Sequence, residues 1–353
     1  MLVLLDHGAD QIVGAVYGTP LRASDYWFAR SALGAFGVHI FFSLSGYLIT
    51  RRLIAEDGRQ GVVSLKNFYI RRVFRIQPAA ITYLLVIGAL AAYGTLPVNS
   101  SGWASALLGY ANFNTAAQTW FTGHFWSLAV EEHFYLLWPA VFVLLGARRR
   151  LAGAILIAAG IAVWRTLAIK YQLTQSANFN VRTDIESDWL MWGCIAALSG
   201  TSQRAQMMVQ SLARPGISLI ALPLTVCAAL PWTMDWKFRQ ALMTLAAMTA
   251  PLMFVGSVSR ANGALGTFLE WPVMSWVGRI SFSLYLWQQL FVVFDDQRVR
   301  TMGILQSSPF SFFCAIAAAA ASYYWIERPF IDRGRLLVSR LRVRREGDVR
   351  TSS

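Results

Sequence analysis

Long apolar runs separated by short polar loops recur along nearly the whole chain of 353 residues. A helix needs about 20 mostly apolar residues to cross the hydrocarbon core of a bilayer. The pattern therefore predicts an all-α fold, a polytopic membrane helix bundle of about ten transmembrane helices, with the first and the sixth short. The predicted spans centre on residues 1–17, 32–50, 76–93, 124–146, 151–169, 188–200, 215–231, 239–257, 274–294 and 308–326.

Two shorter stretches complete this pattern. The apolar patch at 103–113 has the length of a re-entrant or interfacial helix rather than of a span.

The chain begins MLVLLDHG, with Asp6 and His7 where a signal peptide would be apolar, so a cleaved leader is not expected. This segment resembles the latter part of a helix, and we expect the first transmembrane helix to be truncated.

Composition and charge argue against a soluble domain and against a nucleic-acid partner. The chain is 56% hydrophobic and only 14% charged, outside the range of ordinary soluble domains. Its net charge of +13 comes largely from arginines in loops and at the C-terminus, as the positive-inside bias of membrane proteins predicts. Both termini are then predicted to be cytoplasmic. The Arg-rich segments are 51–72, 147–150, 202–216, 257–263 and 332–350.

Two regions are predicted. Residues 1–330 form a transmembrane domain, and residues 331–353 form a basic cytoplasmic tail. Arginines alternate with apolar residues in the tail, which suits a helix lying on anionic membrane lipids. A solvated basic end is an equally good interpretation of the same residues.

The segment GHFWSLAVEEHFYLLWP, residues 123–139, places two carboxylates inside a predicted span. On a helix, His124, Ser127, Glu131 and Tyr135 share one face, while Glu132 lies about 100° around it. A carboxylate within a span is costly, so its default interpretation is a functional group that faces the bundle interior. A purely structural polar stripe is the alternative, and the cost of burying Glu131 favours function.

The other polar groups in the spans do not by themselves establish a function. His7 can act as a base, orient a nucleophile or simply satisfy a neighbouring group. Ser45 and Gly46 form a small-residue notch that close helix packing alone explains. The three arginines at the start of the third span, Arg71, Arg72 and Arg75, suit either a topology anchor or the phosphates of a nucleotide thioester.

Seven sequence blocks run from the start of the chain to about Pro329: LLDHG, FGVHIFFSLSGYLIT, FYIRRVFRIQP, FWSLAVEEHFYLLWP, TDIESDWLMWGC, VGRISFSLYLWQQLF and ASYYWIERPF. Taken together, they resemble the acyltransferase 3 family of bacterial membrane acyltransferases, which includes O-antigen and exopolysaccharide O-acetylases. The resemblance implies ten transmembrane helices in the bacterial inner membrane. It also implies transfer of a short acyl group, commonly acetyl from acetyl-CoA, to a hydroxyl of a carbohydrate or lipid-linked glycan.

The resemblance also implies roles for individual residues. His7 matches the histidine that is expected to act as general base, and Glu131 matches the glutamate of the W-S-L motif. A buried glutamate could orient that imidazole, stabilise its cation or bind the acceptor hydroxyl, and the sequence does not decide among these roles. The basic motif expected to hold the coenzyme A phosphates comprises Arg71, Arg72 and Arg75. Acyl-CoA is then a donor substrate, and neither a resident cofactor nor a metal is expected. The remaining substrate-binding candidates are Ser45, Gly46, Trp126, Ser127, Glu132 and Tyr135.

Three positions depart from the family pattern. The family has an arginine about ten residues before His7, and this chain has none there. Glu186 stands where the family usually has arginine, and Gln288 stands where it frequently has histidine. The sequence therefore gives Gln288 no catalytic role. A polytopic transporter that uses buried His and Glu for protons or acyl cargo is the rival hypothesis, although no inverted repeat is visible.

Overall fold

The computed structural model describes residues 3–4, 23–174, 181–201, isolated positions within 203–211, and 236–258, 264–293 and 301–351. His7 and the predicted span 215–231 lie outside the described residues, as does all but a fragment of the span 1–17. Within the described ranges every regular element is helical, in agreement with the predicted all-α class.

The described helices follow the apolar runs of the sequence. Single turns of 3₁₀ helix at Thr115–Ala117 and Gly303–Gln306, and a π-helical turn at Tyr323–Glu327, connect some of them. The α-helices are α1 Ala23–Gln60, α2 Leu65–Ala92, α3 Ser100–Leu107, α4 Trp120–Gly123, α5 Phe125–Lys170, α6 Thr183–Ser199, α7 Trp236–Val258, α8 Ala264–Glu270, α9 Pro272–Phe291, α10 Phe310–Ser322 and α11 Arg328–Thr351.

Helix α5 contains two of the predicted spans. Its backbone leaves helical geometry at Gly146, where φ is 63° and ψ is 162°. A positive φ favours glycine because glycine has no Cβ to clash with the backbone. The runs 124–146 and 151–169 therefore become two helical segments that meet at this residue.

Three helical stretches in the described part of the chain are long and apolar enough to cross a membrane. They are Leu65–Ala92, Trp120–Lys170 and Phe310–Leu341, and a shorter apolar stretch covers Gln240–Val255. These segments agree with a membrane protein. The predicted number of about ten spans is not established by the described residues.

Helices α1 and α6 pack so closely that their backbones are in contact. A Cβ added at Gly46 would lie 2.0 Å from the carbonyl oxygen of Leu190, and one added at Gly193 would lie 2.0 Å from that of Ser43. Small residues permit such contacts between membrane helices. This packing keeps the polar residues of α1 next to those of α5 and α6.

Candidate active site

A cavity of about 330 Å³ lies among α1, α5 and α9. Its wall is mostly apolar with a few polar side chains, which is the composition of small-molecule sites. The lining residues are Val3, Leu4, Gly37, Val38, Phe41, Ser127, Leu128, Glu131, Ser281, Phe282, Leu284, Tyr285 and Gln288.

Glu131 belongs to a chain of hydrogen bonds at this cavity. The residue is only 5% exposed. Its Oε1 accepts a hydrogen bond of 2.9 Å from the hydroxyl of Tyr135, one turn further along α5. The same hydroxyl lies 2.6 Å from Oγ of Ser45 on α1. Since the three groups are buried together, the carboxylate has a defined position in the cavity wall.

A second pair of hydroxyls lines the cavity beside Glu131. Oγ of Ser127 lies 2.6 Å from the hydroxyl of Tyr285 on α9. The Tyr285 hydroxyl also donates to the carbonyl oxygen of His124 at 3.0 Å. Tyr285 thus joins α9 to the first turn of α5, and the sequence analysis did not single it out. Its spacing from Ser281 and Gln288, four residues before and three after, is the helical signal that could have identified this face.

The three arginines of the basic motif lie in different surroundings. The Cζ atom of Arg72 lies 4.5 Å above the ring of Tyr135, a cation–π contact. Arg71 forms an ion pair of 3.0 Å with Glu56. Arg75 is exposed. Arg72 is therefore the member of the motif that reaches the hydrogen-bonded chain at Glu131.

Arg71 also lines a second cavity, of about 500 Å³, at the ends of α1 and α2. Three further arginines and one carboxylate contribute to its wall, together with residues of α11. The lining residues are Arg52, Ala55, Glu56, Arg59, Gln60, Asn67, Arg71, Arg335, Val338 and Ser339. Positive charge exceeds negative charge in this cavity, which we call the basic cavity.

Of the six predicted substrate-binding residues, Ser127 lines the first cavity. Ser45 and Tyr135 do not line it but join Glu131 through hydrogen bonds, and the other three lie elsewhere. Oε1 of Glu132 accepts a hydrogen bond of 2.5 Å from Gln77 on α2. Trp126 packs edge-on against Phe42, with 5.9 Å between the ring centroids. Gly46 lies at the contact between α1 and α6, where packing accounts for the missing side chain. The structure thus separates the two adjacent glutamates, as helical spacing predicted.

His7 has no described position. Leu4, three residues before it in the sequence, lines the cavity with Glu131. The role of His7 as a base therefore stays a prediction.

A separate buried network ties α6 to its neighbours. Nε2 of His39 lies 3.0 Å from Oε2 of Glu186. The His39 ring stacks on Trp189 at 4.1 Å. Arg165 pairs with Asp188 at 2.7 Å, and both side chains are fully buried. These contacts join α6 to α1 and α5, and the sequence analysis did not find the Arg165–Asp188 pair.

One family model and several curated proteins match this chain. The family model for an acyltransferase domain matches residues 1–328. A peptidoglycan O-acetyltransferase of Listeria monocytogenes is 25% identical over 84% of this chain and 50% of its own length. A Bacillus subtilis protein provisionally named a peptidoglycan O-acetyltransferase is 26% identical, over 85% of this chain and 51% of its own length.

A Staphylococcus aureus protein provisionally named an O-acetyltransferase is 28% identical, over 85% of this chain and 53% of its own length. This chain therefore spans about half the length of the curated relatives that it matches. No solved structure matches it.

Proposed function

This chain belongs to the acyltransferase domain family, and from that premise we propose that it is a membrane-bound O-acyltransferase of the bacterial inner membrane. It transfers a short acyl group, acetyl, from acetyl-CoA to a hydroxyl of a cell-envelope or exported glycan. The relatives named as peptidoglycan O-acetyltransferases support a glycan acceptor. The observation that carries the proposal is the buried, hydrogen-bonded carboxylate of Glu131 in the wall of a cavity of about 330 Å³.

The reaction in this proposal is attack of a sugar hydroxyl on the thioester carbonyl. A hydroxyl is a weak nucleophile, and removal of its proton during attack contributes about 10²- to 10⁴-fold. His7 is the general base in this account, because a neutral imidazole accepts protons near pH 7. Glu131 orients that imidazole, stabilises its cation or binds the acceptor hydroxyl. The new C–O bond forms, the C–S bond breaks, and the thiolate leaves with the proton.

The basic cavity is the proposed site for the phosphates of the donor. It gathers Arg52, Arg59, Arg71 and Arg335 around one carboxylate, Glu56. Guanidinium groups bind phosphate oxygens through paired, charge-assisted hydrogen bonds. Two of these arginines lie on α1, and the others come from α2 and α11, so the donor's charged end is bound where three helices meet. Arg335 lies beyond the residues that the family model matches.

Arg72 connects this donor region to the reacting groups. Its guanidinium stacks on Tyr135, and Tyr135 donates to Glu131. We propose that the acyl group extends from the basic cavity toward this carboxylate, with Arg75 attracting the phosphates at the exposed entrance. In this arrangement donor and acceptor approach Glu131 from opposite ends of the bundle.

The proposed topology places about ten helices across the membrane, with both termini and the basic cavity in the cytoplasm. The Arg-rich loops support this orientation. The basic helix α11 then lies near anionic lipid headgroups, and the glycan acceptor is on the other side.

The test is the release of coenzyme A thiol from acetyl-CoA by membranes that contain the chain. Release that requires an added glycan acceptor is the expected result. If release does not depend on the acceptor, or if acetyl-CoA is left intact in the presence of several glycans, the proposed activity is wrong. Membranes without the chain provide the background rate.

A further inference from the structure

Gln288 is buried in the wall of the first cavity without a partner for its amide nitrogen. The residue is 1% exposed and lies on α9, on the same cavity wall as Ser127, Glu131 and Tyr285. Among the described residues, none accepts a hydrogen bond from its Nε2. A buried amide that lacks a partner costs folding free energy, so such groups are rare and call for an explanation.

The adjacent residue shows how this helix pairs the amide nitrogen of a glutamine. Nε2 of Gln289 donates to the carbonyl oxygen of Trp120 at 2.7 Å, and the indole nitrogen of Trp120 donates back to the carbonyl oxygen of Gln289 at 2.9 Å. Gln289 therefore joins α9 to α4. Gln288 makes no such bond through its amide nitrogen, although it is the more deeply buried of the two.

The other polar groups on this wall are already engaged. The hydroxyl of Tyr285 donates to the carbonyl of His124, and Ser127 is bonded to Tyr285. Glu131, as a carboxylate, accepts and cannot donate. Among the described polar groups of the wall on α5 and α9, the amide of Gln288 is thus the donor best placed for an incoming oxygen atom.

We propose that Gln288 is a catalytic residue that donates from Nε2 to the carbonyl oxygen of the acyl group during transfer. This inference rests on the proposed acyltransferase function. As the acceptor oxygen bonds to the carbonyl carbon, the C=O electron pair moves onto the carbonyl oxygen, which becomes an oxyanion. The pair returns when the C–S bond breaks, and the thiolate takes the proton that the base removed. A fixed donor in an apolar wall stabilises that oxyanion more than water does.

If Gln288 has this role, removing its amide should lower activity without lowering stability. Gln288→Leu keeps the approximate size and removes the donor, so kcat should fall about 10²-fold while KM for acetyl-CoA changes little, as for other single oxyanion donors. The unfolding temperature should stay the same or rise, because an unpaired amide is lost. Gln288→His, which restores a ring N–H donor, should recover part of kcat.

Gln289→Leu is the matched control. It removes the hydrogen bond that the Gln289 amide nitrogen donates to Trp120, so the unfolding temperature should fall while kcat per folded molecule stays near the wild-type value. Wild-type kcat in Gln288→Leu, or a fall in its unfolding temperature equal to that of Gln289→Leu, would overturn the assignment. A wild-type chain that transfers no acyl group overturns the proposed function and this assignment with it, so the two failures are distinguishable.

Discussion

The hydroxyl of Tyr135 donates to Oε1 of Glu131 at 2.9 Å, one helical turn along α5. The same hydroxyl touches Ser45 on α1, and the Tyr135 ring carries the guanidinium of Arg72 on its face. Tyr135 therefore joins three helices at the point where the buried carboxylate is held. Its position explains how a motif on α2 can influence a carboxylate on α5 that it does not touch.

Removing only the hydroxyl of Tyr135 tests this connection. Tyr135→Phe keeps the ring under Arg72 and deletes a hydrogen bond to a carboxylate, which is worth about 1.5–3 kcal/mol. We expect acyl transfer to fall about 10- to 100-fold. Tyr69→Phe, which loses a bond of its hydroxyl to the Leu136 carbonyl on the exposed surface, is the control and should keep its activity. Equal rates for the two variants would show that the hydroxyl of Tyr135 does not support Glu131.

The proposed role of His7 as general base is tested by His7→Ala. We expect acyl transfer to be lost, because the attacking hydroxyl keeps its proton. Membrane insertion and the unfolding temperature should stay at wild-type values. The measurement is acetyl incorporation per milligram of inserted protein. Full incorporation by His7→Ala would remove the histidine from the mechanism without affecting the family assignment.

If the basic cavity binds the donor, Arg335 should affect the KM for acetyl-CoA, although it lies outside the region that the family model matches. Arg335→Ala should raise KM for acetyl-CoA several-fold and leave kcat near wild type, and Arg71→Ala should do the same. Added salt should reduce the difference in KM between each variant and the wild-type chain, because exposed charges are screened. Arg333→Ala is the matched control on α11, since Arg333 stacks on Phe330 and does not line the cavity. An unchanged KM in Arg335→Ala would exclude α11 from the donor site.

The buried ion pair of Arg165 and Asp188 makes a stability prediction. Arg165→Met leaves Asp188 as an uncompensated buried charge, which costs about 3–5 kcal/mol. Arg182→Met breaks the partly exposed pair of Arg182 and Asp184, and such pairs contribute at most about 1 kcal/mol. Thermal unfolding in detergent should show a much larger decrease for Arg165→Met. Similar decreases would mean that the first pair is not shielded from solvent.

Hydrophobic periodicity predicted the features that depend on one helix at a time. The apolar runs correspond to the described helices, and helical spacing correctly separated Glu131 from Glu132. Spacing also placed Glu131 and Tyr135 on one face, as their hydrogen bond requires. These results follow because periodicity reports which residues share a side of a helix.

Features that depend on how helices meet were not predictable in this way. The bond from Ser45 to Tyr135 joins residues 90 positions apart, and the pairing of Ser127 with Tyr285 joins residues 158 apart. Gln288 received no role from the sequence because it departs from the family's frequent histidine, and its place in the cavity wall is seen only in the structure. Gly46 was a predicted substrate-binding residue, but its tight contact with α6 explains the glycine without any substrate.

The most direct test of the central claim is transfer of radiolabelled acetyl from acetyl-CoA to a glycan by proteoliposomes that contain the chain or its Glu131→Gln or Glu132→Gln variant. The account predicts labelled glycan from the wild-type chain, at least about 100-fold less from Glu131→Gln, in line with loss of a group acting in the transition state, and close to wild-type labelling from Glu132→Gln. Unlabelled glycan with the wild-type chain, or equal labelling by the Glu131→Gln variant, would contradict it.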